Sequence, residues 1–391
     1  MATRSILFEP FEQAGLSLPS RIVMSPMGRA HADAGVPQRG YARYFRQRSA
    51  SGVGMMITGA AAIDHPLADY DGTGPRFHGP ALAQWRHIAD DLRDLPAPFV
   101  PQLWHAGMAR RTEAFDSSEA IGPSGYSIAD LKSHDDAGVS GHLAGKPSGK
   151  AMDAADLAAV RDAFAKGALA AREAGFGGVE IHCGHGFLLD QFLWPATNRR
   201  DDEYGGSSAN RARFPAEVIA ACRQAVGPGF PLLARISQFK IDAYDAVIAR
   251  TPDELGALLE PLVTAGVDMF DCSQREVLTP AFKGDDRNLA GWVKALTGKP
   301  TIAVGSVGLA GLFTEEEAAG NSADGAAENS GLPTVSLAML DTVCKMMARG
   351  DFDLLAIGRS LLADPDWPQK IRSGQDETLL PLDLQKLTQL Q

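Results

Sequence analysis

Cysteine is scarce in this sequence. Its four cysteines, Cys183, Cys222, Cys272 and Cys344, include no C-x-x-C pair. That spacing excludes a thiolate-built zinc site or iron–sulfur cluster, so no metal is expected, and it fits the reduced thiols of a cytoplasmic protein. Long apolar runs are missing too: nothing approaches the roughly eighteen apolar residues of a membrane span, and the opening MATRSILFEPF has no export leader's apolar region. Positive charge is in deficit, with a formal net charge of −11, so nothing favours attraction to nucleic acid or anionic lipid. No G-x-G-x-x-G follows an early strand, as a dinucleotide fold would require, and no internal repeat is evident. Small molecules are left as the expected partners.

The composition, 45% apolar and 22% charged, is that of a soluble chain with a sizeable core. Short apolar runs at 21–24, 55–58, 99–104, 179–182, 232–237, 267–273, 300–304 and 354–357 read as strands, with Pro101 an awkward occupant of the third. Helical patterns lie between them over about 38–51, 80–95, 153–174, 210–226, 251–265, 289–297 and 334–349. Eight strands alternating with helices imply a parallel sheet, and we expect residues 1–391 to form a single (β/α)8 barrel domain. Two stretches break the alternation. Residues 105–152, rich in glycine, proline and serine, read as a lid inserted after strand three, and 307–333 as a flexible surface loop.

In such a barrel the working residues belong at the carboxyl ends of the strands. His182 and His185 fall three apart where the fourth strand ends. Two imidazoles there can aim ring N–H donors at one anion or carbonyl oxygen, although from spacing alone such a pair is more often hydrogen-bonded filler. The other strand ends carry Ser25-Pro26-Met27-Gly28, Gly59-Ala60, Gln102, Arg235, Gly305-Ser306 and Gly358-Arg359. The last two groups follow strands seven and eight, where barrels bind phosphate through backbone amides. A phosphate grip, an amide to read a ring edge and an arginine beside developing negative charge together meet a flavin's requirements.

The segment running from Gly178 through Asp190-Gln191-Phe192-Leu193, Thr197-Asn198-Arg199-Arg200 and Glu203-Tyr204-Gly205-Gly206 to Phe214 resembles the signature of the old yellow enzyme family, in its bacterial 12-oxophytodienoate reductase-like branch. Gln102-Leu103-Trp104-His105-Ala106-Gly107 and Ala356-Ile357-Gly358-Arg359 are similar to further motifs of that family. The resemblance implies non-covalent FMN held by Ser25, Pro26, Met27, Gly28, Ala60, Gln102, His182, Arg235, Gly305, Ser306, Gly358 and Arg359. It also implies that His182 and His185 hold the carbonyl oxygen of an enone or activated alkene. Hydride would pass from flavin to the β carbon, and NAD(P)H would reload the flavin in ping-pong order. A homo-oligomer stays open.

Two positions depart from the family pattern. Phe187 stands where a tyrosine usually donates the α-carbon proton, and Gly28 where a threonine or cysteine often touches the flavin. The proton would then come from water, or from Tyr70 or Tyr126 among the six tyrosines. Three alternatives remain at this level. An oxidative or demethylating FMN relative would resemble longer chains with a cysteine cluster, which is absent here. A sugar-phosphate aldolase or isomerase would want a lysine or carboxylate pair at the strand ends. A flavin-binding barrel with weak activity is the third.

Overall fold

The computed structural model describes residues 2–111, 119–131, 147–241, 243–310, 334–383 and 389–390. The barrel strands are β1 (Ile22–Met24), β2 (Met55–Ile57, resuming at Ala61–Ala62), β3 (Phe99–Val100 and Gln102–Trp104), β4 (Val179–His182), β5 (Leu232–Ser237), β6 (Met269–Ser273), β7 (Thr301–Val304) and β8 (Leu354–Ile357). Each is parallel to the next, and β8 returns to β1 through Ile357↔Met24, so the ten paired segments, two of them resumptions of an interrupted strand, close as the expected eight-stranded barrel.

Pro101 explains the break in β3. It has no N–H for the ladder, and its carbonyl accepts from Glu180 N–H at 3.0 Å. The neighbouring Gln102 N–H turns instead to the Thr58 hydroxyl at 3.1 Å. Strand and ligand-facing residues are thereby kept in register across a residue that cannot pair.

Helices cover the outside, and their starts follow from local capping chemistry. They are α1 (Gly40–Ala50), α2 (Pro80–Asp91), α3 (Ala154–Glu173), α4 (Ser208–Val226), α5 (Pro252–Thr264), α6 (Leu289–Thr297) and α7 (Ala338–Arg349). The Asp153 carboxylate accepts the N–H groups of Ala155 and Asp156 at the head of α3, while Asp156 reaches back to Asp153 N–H. Ser207, Thr251 and Asn288 cap α4, α5 and α6 in the same way. α2 stops at Asp91, short of the expected 95.

A second expectation is corrected. The helix expected over 334–349 begins only at Ala338, because Thr334–Val335 forms a strand antiparallel to Leu309–Ala310. Both residues are β-branched and favour extended backbone. The tract 311–333, most of the expected surface loop, lies outside the described residues. So do 112–118 and 132–146 of the expected lid. The described parts of that lid include a strand, Ile121–Gly122, in parallel register with Lys150–Ala151.

The barrel interior is layered. An N-terminal hairpin, Phe11–Gln13 with Leu16–Leu18, turns through Ala14 and Gly15 at φ 56° and 75°, as a two-residue hairpin loop demands. Its Phe11, Leu16 and Leu18 plug the floor against Val23, Met55, Val100, Leu233, Met269, Ile302 and Leu354. Side chains alternate along a strand with period two, so two residues beyond Val100, Leu233 and Met269 the interior receives Gln102, Arg235 and Asp271. Glu180 joins them opposite Gln102 in register. An apolar floor therefore carries a buried polar layer, and the strand exits lie above it. All four cysteines are buried and unbridged.

Candidate active site

The residues that the family resemblance assigns to cofactor and substrate all line one of two adjoining cavities at the strand exits. The larger, about 400 Å³, is bounded by Pro26, Gly28, Ala60, Gln102, Trp104, His182, His185, Phe187 and Arg235, with Tyr70 and Ile241 at its edge. The smaller, about 270 Å³, is bounded by Ser25, Met27, Gly305, Ser306, Gly358 and Arg359, together with Phe239, Gln274 and Arg275. Arg235 links them by donating from Nη1 to Ser25 Oγ at 3.4 Å. Gly28 looks into open space, since a Cβ there would meet nothing within 4 Å. At Gly59 a Cβ would lie 2.2 Å from the Met27 carbonyl oxygen, so only glycine lets the exits of β1 and β2 approach this closely.

The smaller cavity has the chemistry of an anion site. Arg359 Nη2 donates to Ser306 Oγ at 2.9 Å, and that hydroxyl donates to the Arg275 carbonyl at 3.0 Å. Ser306 holds a left-handed backbone, φ 46°, a conformation that costs a non-glycine residue energy and concentrates at functional loops. Arg275 stacks 3.8 Å from the Tyr244 ring centroid and brings a second guanidinium to the cavity. The sequence reading missed it, although an arginine two residues past the end of β6 was the available signal.

The histidine side is held more tightly than the sequence indicated. His185 is also left-handed, φ 63°. Its N–H donates to Ser237 Oγ at 2.8 Å, and its carbonyl accepts from Ile241 N–H at 3.1 Å. The next N–H, of Gly186, donates to Asp190 Oδ2 at 2.6 Å. Asp190 in turn pairs with Lys240 Nζ at 2.8 Å, with both side chains fully buried, and Lys240 also donates to the Gln238 carbonyl. Neither Asp190 nor Lys240 was singled out for this role.

The hydrogen-bond network assigns the imidazole protons. His182 Nδ1 accepts from Gly184 N–H, which leaves the proton on Nε2, 3.3 Å from His185 Nδ1. His185 then carries its proton on Nε2, 2.8 Å from Ser273 Oγ. Burial, reinforced by the Arg235 charge, holds both rings well below the usual histidine range, so both are neutral donors near pH 7. Aromatic rings wall the space beside them: Phe187 meets Trp104 edge-to-face at 4.5 Å and His182 at 5.1 Å. Tyr70 meets Phe187 at 6.0 Å, and its hydroxyl accepts from Arg111 Nε at 2.8 Å. Tyr70 also borders an outer cavity of about 340 Å³ shared with Tyr126, whereas Tyr126 does not reach the larger inner one.

Beneath lies the polar layer. Gln102 Nε2 donates to Glu180 Oε1 at 2.7 Å, and Arg235 Nη1 pairs with Asp271 Oδ2 at 2.9 Å. Arg235 Nε is buried with no acceptor among the described residues. A buried guanidinium with an unused donor, a carboxamide whose N–H2 is anchored so that its oxygen is presented, and an adjoining anion site fit a flavin mononucleotide. Among the described residues no group of three or more His, Cys, Asp and Glu is placed to hold a metal, and no helix is long and apolar enough to cross a membrane.

Comparison with known proteins finds relatives over most of the chain. The family model described as NADH:flavin oxidoreductase / NADH oxidase matches residues 6–324. The chain is 30% identical to 12-oxophytodienoate reductase 1 of Oryza sativa subsp. japonica over 366 residues, covering 93% of this chain and 85% of that one. It is 30% identical to the NADPH dehydrogenase of Geobacillus thermodenitrificans, covering 93% of each. The solved old yellow enzyme homologue from Zymomonas mobilis superimposes with a TM-score of 0.74 at 22% identity, over 98% of this chain and 96% of that one.

Proposed function

The chain belongs to the NADH:flavin oxidoreductase / NADH oxidase family, the old yellow enzymes and their relatives, and on that premise we propose that it is an FMN-dependent ene-reductase that reduces the C=C bond of α,β-unsaturated carbonyl compounds with NAD(P)H. The observation that carries the proposal is the convergence of Gly28, Ala60, Gln102, His182 and Arg235 on one cavity beside the anion site of Ser306 and Arg359. When bound, FMN supplies a two-electron carrier that accepts hydride from NAD(P)H and returns it to the alkene.

The chain's own residues do the rest. Arg359, Ser306 and the turn at Gly305 hold the phosphate, and Gln102 and Arg235 address the ring. His182 and His185 release their contacts to His185 Nδ1 and Ser273 Oγ and turn both Nε2–H donors to the substrate carbonyl oxygen. Polarising that oxygen draws electron density from the β carbon. Trp104, Phe187 and Tyr70 wall the space beside the reacting alkene with aromatic rings.

The first test is the visible spectrum of the purified protein: a flavin spectrum with about one FMN per chain is expected, and a colourless protein that takes up no added FMN sinks the reading. Arg359→Ala is expected to weaken FMN binding by about ten- to a hundredfold, since a hydrogen bond to a charged group contributes about 1.5–3 kcal/mol. Unchanged FMN affinity in that variant would remove the phosphate from this cavity.

Phe187 cannot give a proton. Phe187→Tyr is expected to accelerate the oxidative half-reaction with 2-cyclohexenone while leaving flavin reduction by NAD(P)H unchanged. A positioned general acid contributes about 10²–10⁴-fold, and the gain belongs at the lower end of that range. If Phe187→Tyr gains nothing and Tyr70→Phe abolishes turnover, Tyr70 is the acid already; if neither matters, water supplies the proton.

A further inference from the structure

The barrel buries two carboxylic acids directly below the proposed ring site, and the reaction outlined above uses neither. Glu180 and Asp271 are both fully buried. They stand on β4 and β6 and flank Arg235 on β5, with Arg235 in register with Asp271 and Gln102 in register with Glu180. Burying one carboxylate is costly and burying two side by side more so, unless a cation or a shared proton compensates. Arg235 supplies one cation through its 2.9 Å contact with Asp271 Oδ2. Among the described residues no donor reaches Glu180 Oε2 or Asp271 Oδ1, although the two carboxyl groups are in hydrogen-bonding contact.

A single proton on Glu180, donated to Asp271, satisfies both atoms and leaves one negative charge against the one positive charge of Arg235. Desolvation and the Asp271 charge push the Glu180 carboxyl up to about 8, in agreement with the geometry. The neutral acid still accepts from Gln102 Nε2 through Oε1 at 2.7 Å, which fixes the carboxamide with its oxygen free.

We propose that Glu180 and Asp271 share one proton and act as positioning residues, Glu180 orienting the Gln102 amide and Asp271 offsetting part of the Arg235 charge, so that the pair sets how strongly the site favours reduced over oxidised FMN. The proposal rests on the flavin reading. Two-electron reduction places extra negative charge on the cofactor, and Arg235 attracts it less while Asp271 stands within 2.9 Å. The device restrains the cofactor's affinity for electrons and keeps hydride transfer onward to an alkene downhill.

The test is the midpoint potential of bound FMN in the full-length holoenzyme. Glu180→Gln replaces a neutral acid by a neutral amide and is expected to leave the potential close to that of the wild type. The double variant Glu180→Gln/Asp271→Asn, in which neither acid can take up the charge the other loses, is expected to bind reduced FMN at least about tenfold better relative to oxidised FMN, a rise of about 30 mV for a two-electron couple. Asp271→Asn alone should lie between, because Glu180 can then ionise in its place. A double variant at the wild-type potential, or a Glu180→Gln shift as large as the double, overturns the proposal.

A second measurement covers variants that do not fold. The unmodified protein, with or without FMN, is expected to show a carboxylic-acid C=O infrared band near neutral pH that moves on ¹³C-glutamate labelling, and its absence overturns the shared proton. Failure to take up any FMN would instead count against the flavin reading, since the infrared band does not depend on the cofactor.

Discussion

Replacing His185 by alanine is expected to slow single-turnover reduction of 2-cyclohexenone by about 10²–10³-fold, the effect of removing one donor from a developing oxyanion, about 2.7–4 kcal/mol. Flavin reduction by NAD(P)H should fall far less, because that half-reaction develops no carbonyl oxyanion. His182→Ala should behave similarly. The double variant should lose less than the two single losses combined, since both rings act on one oxygen and are bonded to each other at 3.3 Å. His185→Asn is the informative control: it keeps an N–H donor and tolerates the φ of 63° better than most residues. Stopped-flow traces of the two half-reactions decide the matter. Equal enone reduction in His185→Ala and wild type would remove the pair from the carbonyl site, and a matching loss in both half-reactions would point to a displaced cofactor.

The largest effect on stability is expected at Asp190. Asp190→Ala leaves the fully buried Lys240 ammonium without its partner at 2.8 Å. Breaking a buried pair on one side typically costs about 3–5 kcal/mol, because the remaining charge has lost both water and counterion. The cost here should lie in the upper half of that range, since Gly186 N–H also loses its acceptor. Asp190→Leu with Lys240→Met, an apolar pair of similar volume, should recover most of the loss. The contrast is Lys150, half exposed beside Asp153, where Lys150→Ala should leave the unfolding midpoint close to that of the wild type. Urea-unfolding midpoints of the variants supply the comparison. Asp190→Ala at the wild-type midpoint would mean that Lys240 is not charged in the native protein. Enone turnover should fall in Asp190→Ala even where the fold survives, because Asp190 holds the Gly186 N–H that directly follows His185.

Much of this is legible in the sequence. The strand exits stood out because short apolar runs end abruptly in small or polar residues. Asp153 announced α3, since a capping residue acts on N–H groups within three positions. Pro101 could be flagged because a missing N–H is a property of the residue itself. The illegible parts depend on distance along the chain. Asp190 and Lys240 are 50 positions apart, and each alone reads as an ordinary exposed charge. Glu180 and Asp271 looked like incidental members of apolar strands, because only closure of the barrel turns them toward each other. The hairpin strands, three residues each, were too short to show a period. Thr334 and Val335 followed their β propensity once Leu309 and Ala310 offered an edge, which no reading of 334–349 alone could foresee.

The hairpin plug also constrains how the molecule is made. Its floor partners include Ile302 and Leu354, and the helical turn before it is tied to the far end of the chain through Arg4, which pairs with Asp341 and Asp376 at 2.6 Å each. These contacts join residues 337 and 372 positions apart. Residues 11–18 leave the ribosome well before the strands they pack against and therefore wait, with Phe11, Leu16 and Leu18 uncovered, until β8 and the helices around it have emerged. Contacts of such sequence separation form late and slowly, and an apolar hairpin left exposed in the interval is open to association with other nascent chains. Barrel closure is thus a last step in synthesis as well as in space, and the early segment most in need of chaperone protection is the one that ends up at the bottom of the finished barrel.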